Sequence, residues 1–151
     1  MSAAPLLQIK ELKKQFPIKR GIVDAFLRKP YRALTAVDGV SLDVYAGESL
    51  GIVGESGCGK STLAKTLIRL YKPDGGCIFL DGRDISHIPR SEMRREARSM
   101  QMIFQDPYSS LNPRMSVRQT LSEALKFHNM CAPEKINERV LELLSLVGLH
   151  H

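Results

Sequence analysis

At 151 residues, with 43% hydrophobic and 25% charged side chains, the chain is long enough for one domain with a real core, and no apolar run in it reaches bilayer-spanning length. Met1 to Leu7 (MSAAPLL) lacks the basic start and long apolar segment of a secretory signal, and the three cysteines, Cys58, Cys77 and Cys131, form no C-x-x-C pair, which suits reduced thiols in the cytosol. The net charge of +6 is spread along the chain with no aromatic platform beside it, so nucleic acid is not an expected partner.

In chain order, Leu6 to Phe16 (LLQIKELKKQF) alternates in part and predicts edge-type β structure closed by Pro17. From Ile18 to Tyr31 the sequence is irregular and basic, with Phe26, Leu27 and Tyr31 interspersed, a mixture that could lie against a membrane surface or a partner. Val40 to Val44 (VSLDV) alternates cleanly, and Ala46-Gly47-Glu48 turns the chain into Ser49 to Val53 (SLGIV), a short apolar run suited to a buried strand. Lys60 to Leu70 has helical spacing, with Leu63, Leu67 and Leu70 on one face.

Between that strand and helix lies Gly54 to Thr62 (GESGCGKST), which fits G-x-x-x-x-G-K-[ST] with Gly54, Gly59, Lys60 and Ser61 in the defining places. Glycine is required where the backbone must approach phosphate oxygens and adopt conformations that a Cβ resists. Successive N–H groups then form a concave anion site at the positive end of a helix. The motif assigns Lys60 to the β and γ phosphates and the Ser61 hydroxyl to Mg²⁺. Cys58, inside the loop, reads as a small filler residue or a reactive thiol.

Downstream, Pro73-Asp74-Gly75-Gly76 predicts a turn, Cys77 to Leu80 a short strand and Asp81-Gly82 a second turn. Pro89 to Arg98 predicts a charged helix and Met100 to Phe104 (MQMIF) another buried strand. Gln105 to Met115, with Pro107 and Pro113, breaks all periodicity. Two helices follow: one capped by Ser116 with Val117, Leu121, Ala124 and Leu125 on a face, and one opened by Pro133, striped by Ile136, Val140, Leu143, Leu144 and Val147, and stopped by Gly148. Antiparallel hairpins around a parallel α/β element make a mixed sheet. His87, His128, His150 and His151 have no metal-ligand partners at useful spacing and read as surface residues.

Together these segments resemble the nucleotide-binding subunit of an ABC transporter, most closely the oligopeptide/dipeptide importer subgroup. AVDGVSLDVYAGESLGIVGESGCGKSTLAKTLIRL is similar to that family's entry into its phosphate loop, and MIFQDPYSSLNPRMSV to the glutamine loop of the peptide-importer branch. The resemblance implies an α/β P-loop NTPase of ABC type, a mixed sheet with an antiparallel β subdomain (1–48, basic insert at 18–33), a P-loop core (49–104), and a glutamine loop with the start of a helical subdomain (105–151).

It also implies that Phe16 stacks on adenine, with Tyr31 as a rival, and that Gly54, Glu55, Ser56, Gly57, Cys58, Gly59, Lys60, Ser61 and Thr62 hold the phosphates of ATP. Gln105 would contact Mg²⁺ together with Ser61, orient the attacking water and relay the state of the site. The implied partners are a second ATP-binding subunit, identical or not, transmembrane permease subunits and, indirectly, a substrate-binding protein, all at the cytoplasmic face of the membrane. The family's LSGGQ-type signature, Mg²⁺-binding aspartate, catalytic glutamate and switch histidine are expected after His151. The 151 residues therefore resemble the front part of such a subunit, and alone they are expected not to hydrolyse ATP. A soluble P-loop phosphotransferase and a cytosolic ABC-type ATPase are the competing classes.

Overall fold

The sheet of the first half is built on β1 (Leu7–Pro17), which pairs on both sides. It runs antiparallel to β2 (Ala33–Val44) along one edge and to β3 (Gly75–Leu80) along the other, and β3 continues through the Asp81-Gly82 turn into the two-residue β4 (Arg83–Asp84). The strand order is β2-β1-β3-β4, and every ladder among the described residues is antiparallel. The edge placement predicted for β1 is thus corrected: its buried Ile9 and Leu12 anchor the centre of the sheet. The computed structural model describes residues 4–18, 33–106 and 111–149, so the basic insert and Tyr31 lie outside the described residues.

Ile9 and Leu12 are three apart, and the ladder is irregular between them. Glu11 takes a φ of +49° there, with its carboxylate beside Gly39 (φ +64°), while Gly76 at +76° brings its backbone so close that a Cβ would meet the Glu11 carbonyl oxygen at 2.2 Å. The Glu11 N–H donates to Ser41 Oγ (2.9 Å), and the Ser41 hydroxyl donates back to the Glu11 carboxylate (3.0 Å). The extra residue is therefore held by hydrogen bonds to the neighbouring strand.

Helix α1 (Lys60–Leu67) lays Leu63 and Leu67 on this sheet, where Ile9, Leu12, Val37, Ile78, Leu80 and Ile85 form one buried cluster. It is shorter than the predicted span, because Arg69 turns left-handed (φ +60°) and Leu70 is exposed. Helix α2 (Arg90–Glu96) follows Pro89 and is tied to β4 by Arg83, whose guanidinium reaches Glu92 (2.6 Å) and Glu96 (2.5 Å).

Two predicted strands are absent. Ser49 to Val53 and Met100 to Phe104 have no ladder partner and run as irregular, largely exposed chain. An apolar run of that kind is stable as a strand only between two neighbours. Val53 is 97% exposed and Ile103 93%, so neither has one among the described residues.

Residues 101–151 form a separate compact unit. Its two helices, α3 (Val117–Phe127) and α4 (Ile136–Leu146), pack through Leu125, Ile136 and Val140, flanked by Leu121, Leu143 and Leu144. Ser116 starts α3 with a complete capping box: its hydroxyl accepts from the Gln119 N–H (3.2 Å), and the Gln119 side chain accepts from the Ser116 N–H (2.8 Å). A short 3₁₀ turn, Pro133–Lys135, leads into α4, and Gly148 leaves it at φ +74°. Val117 and Val147 of the predicted stripes are exposed.

Candidate functional site

The loop Gly54 to Gly59 sits where β2 and the start of α1 meet, and one backbone contact places it. A Cβ on Gly59 would stand 2.2 Å from the Ala36 carbonyl oxygen, and Gly59 holds a φ of +102°. Only glycine allows the loop to come this close to β2. Gly57 turns at φ +83°, and a Cβ on Gly54 would stand 2.8 Å from Cys58 Sγ. The sequence spacing of the glycines is thus the spacing of the backbone's tight points.

Leu63 N–H donates to the Gly59 carbonyl (2.8 Å) as the first bond of α1. The N–H groups of Lys60, Ser61 and Thr62 precede that bond, and no acidic residue occupies the first turn. These are donors at the positive end of a helix, the chemistry that an anion requires. The Lys60 ammonium folds back over the loop, donating to the carbonyls of Gly54 (2.5 Å) and Glu55 (2.6 Å) and lying 3.4 Å from Cys58 Sγ. The Cys58 N–H donates to the Glu55 carbonyl (3.3 Å), closing the loop on itself, with Ser56 exposed at its tip. Deeper in α1, the buried Thr66 hydroxyl donates to the Thr62 carbonyl (2.7 Å), so Thr62 is fixed through its backbone. Beside the loop an apolar recess of about 270 Å³ is lined by Val37, Val40, Leu42, Ile52, Val53 and Leu63.

Phe16 stands near the end of β1, half-buried, with its partner Leu34 two residues from Ala36 on β2. Its ring meets Tyr71 nearly at right angles, with centroids 5.3 Å apart, and Lys14 Nζ lies 5.3 Å from its centre. Asp74 accepts from Lys14 Nζ and from the Gln15 N–H, both at 2.7 Å. Burial pushes the Asp74 carboxyl up, and the Gln15 and Lys14 donors outweigh it, leaving the group below the usual carboxylate range. Tyr71 carried no motif and Asp74 only that of a turn; their position in the segment between α1 and β3 brings them to Phe16. Gln105 is exposed and belongs to the second unit, the loop residues to the first. Pro107 lies outside the described residues.

A family model described as ABC transporter matches residues 37–151. The chain belongs to the ABC transporter family. Within that family it is similar to the oligopeptide transport ATP-binding protein AppF of Bacillus subtilis, at 49% identity over 96% of this chain and 43% of the relative. The dipeptide transport ATP-binding protein DppF of Escherichia coli matches at 41% identity over 96% of the chain and 42% of its own length. The chain spans less than half the length of these curated relatives. Among solved structures, cbiO1 of Clostridium perfringens, part of the cbiONQ ABC transporter complex, superposes with a TM-score of 0.67 at 29% identity, over 97% of this chain and 52% of that one. The dimeric ATP-binding cassette MJ0796 bound to ADP and Pi gives a TM-score of 0.70 over 96% of this chain and 58% of that one; at 24% identity it speaks for the ABC fold alone. The expected α/β fold of ABC type is the fold observed, with an antiparallel sheet and helices, but the expected mixed sheet is corrected: no parallel ladder forms among the described residues, because Ser49 to Val53 and Met100 to Phe104 have no neighbouring strand there.

Proposed function

We propose that this chain forms the front part of an ATP-binding subunit that powers import of peptides or related small solutes through a membrane permease. The observation that carries the reading is the loop 54–59 clamped against Ala36, with Lys60 and the free N–H groups of α1 at its mouth. Its context in sequence is that of oligopeptide and dipeptide transport ATP-binding proteins. The antiparallel pair β1–β2 that precedes the loop fits this class better than a soluble phosphotransferase.

The residues present fit a nucleoside triphosphate. Lys60 exchanges its two carbonyl partners for phosphate oxygens, which gain a full positive charge and lose none of the backbone donors. Gly54, Glu55, Ser56, Gly57, Cys58 and Gly59 wrap the chain of phosphates, and the Ser61 hydroxyl, exposed at the helix start, is a ligand for Mg²⁺, which when bound neutralises charge on the β and γ oxygens. Phe16 stacks on the adenine, a contact worth on the order of 1–3 kcal/mol. Gln105 joins the metal and water side of the site in the working subunit and relays its state toward 105–115, where permease loops dock. A second ATP-binding subunit completes the site, at the cytoplasmic face of the membrane. The proposed divisions are 1–48, 49–104 and 105–151.

The test is Lys60→Ala in the protein at its full length, with its permease. ATP affinity or turnover should fall at least about tenfold with the backbone donors intact. Unchanged binding and hydrolysis would remove the loop from the mechanism. In the same assay Gln105→Ala should lower permease-stimulated turnover more than nucleotide affinity, and equal losses would remove its coupling role.

A further inference from the structure

Phe16 is held by groups that converge from one distant segment, residues 65–74. At the end of α1 the chain closes on the Lys65 carbonyl, which accepts from both Leu70 N–H (2.9 Å) and Tyr71 N–H (3.1 Å), with Arg69 left-handed between helix and loop. The Arg69 guanidinium donates to the carbonyls of Ser86 and of Ile88, anchoring this reversal to the segment after β4. Tyr71 is thereby delivered to the Phe16 ring at an interplanar angle of 84°. Three residues on, Asp74 grips Lys14 and Gln15, the two residues preceding Phe16, and its own N–H donates to the Lys13 carbonyl (2.9 Å). Lys65 Nζ lies 5.9 Å from the centre of the Tyr71 ring. Neither ring belongs to the buried cluster of the sheet; both are half-exposed.

We propose that Tyr71 is a positioning residue for base recognition: it fixes the plane of the Phe16 ring before nucleotide arrives. The proposal rests on the reading of Phe16 as the adenine-stacking ring. A half-exposed phenylalanine at the end of a strand has several rotamers open to it, and stacking on a base would have to select one. Perpendicular contact with Tyr71 makes that selection in advance, since aromatic pairs favour this geometry beyond the area they bury. The lysines beside the two rings add positive charge where a polyanion would approach.

The experiment compares ATP with inorganic triphosphate, which has no base, in the protein at its full length. Tyr71→Ala should raise the Kd for ATP by about threefold to tenfold, leave that for triphosphate unchanged, and be rescued by Tyr71→Phe, which keeps the ring. Combined with Phe16→Ala it should add nothing, because there is no ring left to position. If Tyr71→Ala does not fold, Tyr71→Leu keeps the volume without the aromatic ring and carries the same comparison. Equal weakening of both ligands, or of neither, with Phe16→Ala still selective for ATP, would overturn the role of Tyr71 and leave that of Phe16 standing. If Phe16→Ala spares ATP, the stacking assignment fails and the positioning role with it.

Discussion

Gly59 and Gly47 both hold positive φ, but they differ in what surrounds them. A methyl group on Gly47 meets nothing within 4 Å, whereas one on Gly59 strikes the Ala36 carbonyl oxygen. Gly47→Ala should therefore cost only the conformational term, about 1–2 kcal/mol, while Gly59→Ala should exceed it and also weaken nucleotide binding by pushing the loop off β2. Urea unfolding of the two variants, paired with ATP titration, reads the difference. At Asp84 the prediction concerns pH. The Ser86 hydroxyl (2.5 Å) and then the Ser86 N–H (2.7 Å) donate to one carboxylate oxygen and hold this group below its ordinary value of 3.8. A depressed folded value means that the stabilisation is present above the unfolded value and is lost as pH falls through the folded one. Asp84→Asn should thus be less stable than the parent at neutral pH and converge with it in acid. A gap that persists unchanged below the carboxylate range would point to a packing effect.

Helix α3 owes its start to reciprocal bonds between Ser116 and Gln119, so Ser116→Ala should cost about 1 kcal/mol and hasten hydrogen exchange in the first turn. Exchange that speeds up only near Phe127 would contradict this. The cap was legible in the sequence because its two partners are three residues apart, and the glycine-rich loop was legible as a motif because it is nine consecutive residues, although its seat against Ala36 was not. The hairpin through Asp81 and Gly82 was readable on that basis too, with φ of +48° and +75° at those two residues. What the sequence did not disclose depends on remote neighbours. The central place of β1 follows from pairing with residues some thirty and seventy positions away. Ser49 to Val53 has the composition of a buried strand, yet composition cannot supply the strands on either side. The contact of Phe16 with Tyr71 depends on the left-handed exit of Arg69, a residue whose type gives no hint of it.

At the scale of the molecule, the exposed Leu50, Ile52 and Val53 in the first unit and Ile103, Phe104 and Leu111 in the second are apolar surface without cover among the described residues. Residues 1 to 151 expressed by themselves should associate as concentration rises, seen as growth in sedimentation coefficient, and should show no Mg²⁺-dependent ATP turnover above background. A monodisperse monomer with turnover abolished by Lys60→Ala would make these residues a self-sufficient site. The irregularity at Glu11 bears on the same molecule-wide economy of faces. In a strand with no extra residue, position parity decides the side: with Ile9 inward, 11, 13 and 15 would follow it and Phe16 would point away. The observed inward series is 7, 9, then 12, 14 and 16, because one residue is spent on the change of frame. Removing Glu11 would place Leu12 two positions after Ile9 and leave Leu12, Lys14 and Phe16 on the inner face of a regular strand, whereas losing the irregularity with Glu11 retained would carry all three to the opposite face together, so the facing of this strand depends on Glu11 being held out of the alternation.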